Sequence, residues 1–170
     1  MIAKMLGSVL ILAGCGGFGM MICVAYKREE DMLRQLIHAL DFMQCELQFH
    51  MTPLPELCSL AGNACSGRIS EYFQMLAKEL ERQTLPDVRS CAEVVAASTA
   101  KLPERVENAL EVFSRSLGQF DAQGQIQELE KARSYCHSAM TAMDENRDMR
   151  LRSYQTLGIC AGAALVILLV

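Results

Sequence analysis

Residues 5–25 read MLGSVLILAGCGGFGMMICVA, and none of these 21 side chains carries a charge. As an α-helix this stretch would be about 30 Å long, which matches the hydrocarbon core of a bilayer. A second uncharged stretch, SYQTLGICAGAALVILLV, fills the 18 residues 153–170. It would reach about 27 Å as a helix, enough for a slightly short span. The sequence therefore predicts two transmembrane helices, at residues 5–25 and 153–170.

The charged residues lie between these two stretches. Of 36 charged side chains, 35 fall within residues 27–152, where 15 Lys and Arg face 20 Asp and Glu. This mildly acidic balance gives no support for a nucleic-acid-binding surface, which would need a concentrated basic stripe. Only one basic residue, Lys4, lies at an outer end of the two stretches. Six lie at or near the inner ends: Lys27, Arg28, Arg34, Arg147, Arg150 and Arg152. The positive-inside rule then predicts a two-span cell-membrane protein whose middle domain, residues 26–152, is cytosolic.

The middle domain has the periodicity of helices. Apolar residues recur at steps of three and four, and no stretch alternates in the manner of a strand. Residues with the character of caps and breakers divide it, with Thr52 and Pro53 opening the second helix and Asp121 capping the last. We therefore predict an all-α fold: two terminal transmembrane helices flank a cytosolic bundle of about six helices. The first of these should run on directly from residues 5–25, burying one face made of Leu33, Leu36, Ile37, Leu40, Met43 and Leu47.

A lipoprotein signal is the alternative interpretation of the N-terminal stretch. Leu12, Ala13, Gly14 and Cys15 form a bacterial lipobox, which would direct lipid attachment to Cys15 and place the protein outside the cytoplasm. Against this, the sequence stays apolar for ten residues after Cys15, and the flanking positive charges would have to be translocated.

No catalytic, cofactor or metal motif is present. The three histidines lack a second ligand at motif spacing, and the eight cysteines include no CxxC pair. Five of these cysteines lie in the middle domain, where the simplest interpretation is buried thiols that pack as small apolar groups. We therefore expect no enzyme, cofactor or metal site.

An ordered set of local patterns resembles the stage III sporulation protein AB family of endospore-forming bacteria. The resembling stretches run the length of the chain, from Ala25–Arg28 and Leu33–Leu36 through Glu46–Phe49 and Thr52–Glu56 to Tyr154–Gly158. The resemblance implies a scaffold in the secretion-type complex that joins the mother cell and the forespore. Members look like the platform proteins of type II secretion and type IV pilus systems, which sit against a motor ATPase.

By this resemblance, the partners would be a cytosolic secretion-type ATPase, other membrane components of the sporulation complex and the lipid bilayer. An oligomer is compatible with the sequence. The protein would lie in the forespore membrane on the mother-cell side. The resemblance also suggests six candidate partner-binding positions, which are Arg34, Glu46, Thr52, Pro53, Asp121 and Gln125.

Overall fold

The computed structural model describes residues 2–50, 52–82, 87–99, 101–116 and 123–145. Within these ranges the chain forms six helices and no strand, so the all-α prediction is confirmed. They are α1 (Ile2–Phe49), α2 (Leu54–Ala64), α3 (Gly67–Arg82), α4 (Val88–Ser98), α5 (Glu104–Ser116) and α6 (residues 123–145).

The chain divides into two compact units. One is Glu29–Met140, and the other consists of Met1–Arg28 together with Thr141–Val170. Helix α1 is unbroken over 48 residues, which confirms the prediction that residues 5–25 run on into the first helix of the middle domain.

The membrane prediction has a different outcome. Among the described residues, no helix combines the length and the hydropathy that crossing a bilayer requires. Residues 153–170 lie outside the described part of the chain. Residues 5–25 lie within helix α1. The two predicted spans are therefore not confirmed by the structure.

The core of the Glu29–Met140 unit consists of one apolar face from each helix. Helix α1 contributes the face predicted from its sequence, with Ile37 half-buried at its edge. One ring contact joins α3 to α5, because Phe73 meets Phe113 edge-to-face at 5.4 Å between ring centroids. Within α3, Phe73 also meets Tyr72 edge-to-face at 5.7 Å. The largest fully buried side chains are Leu33, Leu36, Leu40, Met43, Leu57, Ile69, Tyr72, Phe73, Leu76, Val106 and Phe113.

Helices α2 and α3 form a hairpin that depends on two glycines. Gly67 begins α3 with φ of +64°, a left-handed conformation that side chains with a Cβ rarely adopt. Gly62 lies against Gln74, and a Cβ there would stand 3.0 Å from the Gln74 side chain. That close approach lets the Gln74 amide donate hydrogen bonds to the Ser59 carbonyl (3.2 Å) and to Asn63 Oδ1 (2.7 Å).

Polar contacts fasten the hairpin and the later helices to α1. Gln35 of α1 accepts hydrogen bonds from the Cys65 thiol and the Ser66 backbone N–H, at 3.3 and 3.1 Å, in the turn between α2 and α3. At the start of α5, Arg105 donates to Glu29 at 2.9 Å. From α6, Arg133 donates to Asp41, also at 2.9 Å. The C-terminal part of α1, from Glu29 onward, is thus the element against which the rest of this unit packs.

Some predicted details of the helix ends were wrong. Thr52 is not the N-cap of α2, because Pro53 holds that position with φ −56° and ψ 144°, and Pro55 takes the first turn. Helix α2 runs through Gly62 and ends at Ala64. Asp87 does cap α4, accepting a hydrogen bond from the Ser90 N–H at 3.3 Å.

Candidate partner-binding surface

Arg34 stands on the solvent side of α1. Its guanidinium donates to Glu30 at 2.7 Å, one turn back along the helix, and its side chain remains 63% exposed. A pair of this kind between exposed side chains contributes only about 0.3–0.5 kcal/mol in proteins. The Arg34 charge can therefore exchange its intramolecular partner for another carboxylate at little cost.

Glu46 lies at the end of the same helix and is held in one orientation. Its Oε2 atom accepts a hydrogen bond from the Thr52 hydroxyl at 3.2 Å and lies 3.3 Å from Nδ1 of His50. The helix also closes here through a hydrogen bond from the His50 N–H to the Glu46 carbonyl at 2.8 Å. This explains why Thr52 does not cap α2, since its hydroxyl is committed to Glu46.

Pro53 follows at the same place, exposed at the start of α2. We call the surface formed by Glu46, Phe49, His50, Thr52 and Pro53 the α1–α2 corner. The structure thus brings together three of the six predicted positions, Glu46, Thr52 and Pro53. Arg34 lies 12 residues earlier on α1, which corresponds to about 18 Å along the helix axis and roughly 120° around it.

The remaining two positions, Asp121 and Gln125, come later in the sequence. Gln125 is half-buried near the start of the described part of α6. Asp121 lies outside the described residues.

Phe49 is the residue of the corner that the sequence interpretation missed. It is the last residue of α1, and its side chain is 72% exposed. The signal was present in the periodicity, because Phe49 follows the buried Leu47 by two residues and so points about 200° away from it around the helix. An aromatic residue on the polar side of an amphipathic helix is a feature that packing does not explain.

Burial makes four thiols of the Glu29–Met140 unit poor nucleophiles. Cys58 and Cys136 are free thiols, and burial raises the pKa of each to about 12, because the thiolate would lose its hydration. Burial likewise raises the pKa of Cys65 and Cys91. Among the described residues, no group of three or more His, Cys, Asp and Glu side chains is placed to hold a metal ion. The side chains of the described region offer charge, hydrogen bonding and apolar contact for recognition of a partner.

Comparison with known proteins bears on the whole chain. The family model described as Stage III sporulation protein AB matches residues 4–170. The Stage III sporulation protein AB of Bacillus subtilis (strain 168) is 21% identical over 168 residues, covering 98% of each chain. A solved structure of Stage III sporulation protein AB (SpoIIIAB) superimposes with a TM-score of 0.62 at 18% identity, covering 72% of this chain and 98% of that one, and so shows the same fold. The chain belongs to the stage III sporulation protein AB family.

Proposed function

We propose that this protein is a non-enzymatic membrane scaffold in the secretion-type complex between mother cell and forespore, and that its middle domain docks a cytosolic motor ATPase. The observation that carries the proposal is the layout of a family member: a charged helical domain between two stretches without charge. Family membership supports the role in sporulation. The resemblance to secretion platforms supports the scaffold role and the ATPase as partner.

Membrane attachment is part of the proposal. The stretches 5–25 and 153–170 have the length and composition of spans, and six basic residues flank their inner ends. Together they favour two spans with the Glu29–Met140 unit in the cytosol. Other membrane components of the complex would then contact the spans, and the ATPase would contact the cytosolic surface.

Charge reversal tests the docking. Arg34→Glu or Glu46→Lys in the full-length protein should abolish co-purification of the ATPase from sporulating cells, because each reverses a charge at the proposed contact.

The chain supplies matched controls. Arg115 is 60% exposed and paired with Glu111 one turn away, much as Arg34 is with Glu30. Glu128 has the same 22% side-chain exposure as Glu46 and is also paired, with Lys131. Arg115→Glu and Glu128→Lys should therefore leave the ATPase bound.

The role itself is tested by deletion. Removing the gene from its endospore-forming host should arrest sporulation, and the wild-type copy should restore it. Normal spore yield after deletion would refute the sporulation role, and loss of the ATPase from the control variants would refute a specific docking surface.

The lipoprotein remains the second candidate because Leu12–Cys15 is a complete lipobox. In that case the protein would take up a labelled fatty acid, and Cys15→Ser would abolish the incorporation. The scaffold proposal expects no such label on the wild-type protein.

A further inference from the structure

Phe49 is the aromatic residue that the described part of the chain exposes most fully. The other large apolar side chains classed as exposed there are the aliphatic or thioether groups of Met21, Val24, Met75 and Val94. An exposed aromatic ring offers a large, rigid contact area at low entropic cost and a negative face that attracts cations. The ring lies one helical turn from Glu46, so an apolar platform and a carboxylate stand side by side.

The charge around this ring is one-sided. Residues 35–67 contain three acidic residues and no Lys or Arg. One of the three, Asp41, is neutralised by Arg133 of α6 at 2.9 Å. The other two are Glu46 in the corner and Glu56 in the first turn of α2. The α1–α2 corner therefore contains one carboxylate, Glu46, and residues 35–67 supply no Lys or Arg to balance it.

Glu46 is oriented before any partner arrives. The Thr52 hydroxyl donates to its Oε2 atom at 3.2 Å, and Nδ1 of His50 lies 3.3 Å from the same atom. Since a carboxylate fixed in place loses little conformational entropy on binding, it pairs with an incoming cation better than a freely rotating one. The combination of a fixed carboxylate and an exposed ring is typical of a site for an arginine or lysine side chain.

We propose that the α1–α2 corner binds an arginine- or lysine-bearing segment of the docked ATPase, with the cationic group stacked on the Phe49 ring and paired with Glu46. This inference rests on the proposed function for the identity of the partner. The charge of the corner argues against an anionic membrane surface, which Glu46 and Glu56 would repel. It also argues against a second copy meeting corner to corner, because a symmetric contact would oppose like charges.

Binding measurements with the purified full-length protein and the purified ATPase test the chemistry. Phe49→Leu keeps an apolar side chain but removes the ring, and Glu46→Gln keeps an acceptor for Thr52 but removes the charge. We expect each to weaken Kd about three- to tenfold, and the pair together more than either. Val94→Ala alters another exposed apolar residue, on α4, and should leave Kd unchanged. Unaltered Kd for both corner variants overturns the inference.

Photo-crosslinking identifies the occupant. A photoreactive phenylalanine analogue at position 49 of the full-length protein, in sporulating cells, should crosslink to an ATPase peptide with Lys or Arg next to the captured residue. The same analogue at position 94 should not. Crosslinks to a second copy, to lipid or to a segment without Lys or Arg overturn the inference.

If Arg34→Glu releases the ATPase while the corner variants retain it, the docking proposal stands and only this corner is wrong. If wild-type protein binds no ATPase, both fail.

Discussion

The described cysteines differ sharply at the scale of single residues. Cys45 is exposed and Cys65 is half-buried, whereas Cys58, Cys91 and Cys136 are buried. The interpretation of the middle-domain thiols as small core groups is thus correct for three of the five. Cys45 follows Asp41 on the solvent side of α1, and its exposure was readable from the helical period. The exposure of Cys65 depends on the turn into α3, which periodicity does not define.

The buried thiols predict a loss of stability at alkaline pH. Cys58 and Cys136 have an ordinary thiol pKa of 9.0 when unfolded and about 12 when folded. A raised folded-state pKa gives stability that is fully present below pH 9 and is lost as pH rises toward 12, because the unfolded chain releases its protons first. Each thiol should lower the free energy of unfolding by about 1.4 kcal/mol per pH unit within that window.

Urea unfolding of the protein in detergent, followed by circular dichroism between pH 8 and 10.5, measures this slope. Cys58→Ala should reduce the slope above pH 9 by the contribution of one thiol, although it lowers stability at every pH. Staying below pH 10.5 limits the contribution of Tyr72, whose pKa burial also raises. A free energy of unfolding that does not change across this range would contradict the buried, protonated state.

The sequence was less informative where one residue had two plausible uses. Thr52 before Pro53 has the pattern of an N-cap, but its hydroxyl bonds to Glu46, six residues earlier. Such a contact depends on how the chain turns between two helices, which no local propensity encodes. Glu46 itself was selected by resemblance, and the structure adds its orientation by Thr52 and His50.

At the scale of elements, the helices and most of their buried faces were predictable because each face repeats every three or four residues. In α3 the buried residues 69, 72, 73 and 76 recur at this spacing, and Leu80, one step further along the same stripe, is half-buried. Helix α4 shows the limit of this reasoning. Its buried residues are Cys91, Ala92 and Val95. Val94 lies roughly 100° around the helix from Val95, and its side chain is 47% exposed. Helix α4 has only 11 residues, and the apolar residues Cys91, Val94 and Val95 alone do not determine which side of it is buried.

The ring contact between α3 and α5 should dominate the stability of the unit. Phe113 is 1% exposed and packs edge-to-face on Phe73, whereas Phe49 is 72% exposed. Phe113→Ala should cost about 3–5 kcal/mol, since it removes buried apolar area and leaves a cavity. The control Phe49→Ala should change stability by less than about 0.5 kcal/mol. The same urea titration at neutral pH compares the two, and equal losses would contradict the assigned core.

At the scale of the whole molecule, the orientation of the Glu29–Met140 unit separates the two functions considered. A cytosolic unit can meet a motor ATPase, whereas a lipoprotein anchored at Cys15 would hold it outside. The sequence argues for the cytosol through its flanking charges. The order of helix packing needed the structure, since contacts such as Arg105 with Glu29 join residues 76 positions apart.

Cysteine accessibility in cells is the most direct measurement of this orientation. Cys45 is the suitable probe because it is exposed, and the buried Cys58 and Cys136 serve as internal controls that should react only after unfolding. A membrane-impermeant maleimide, with the modified residue located by mass spectrometry, should leave Cys45 unlabelled in intact cells and label it once the membrane is permeabilised. Labelling of Cys45 in intact cells would contradict the cytosolic scaffold and favour the lipoprotein.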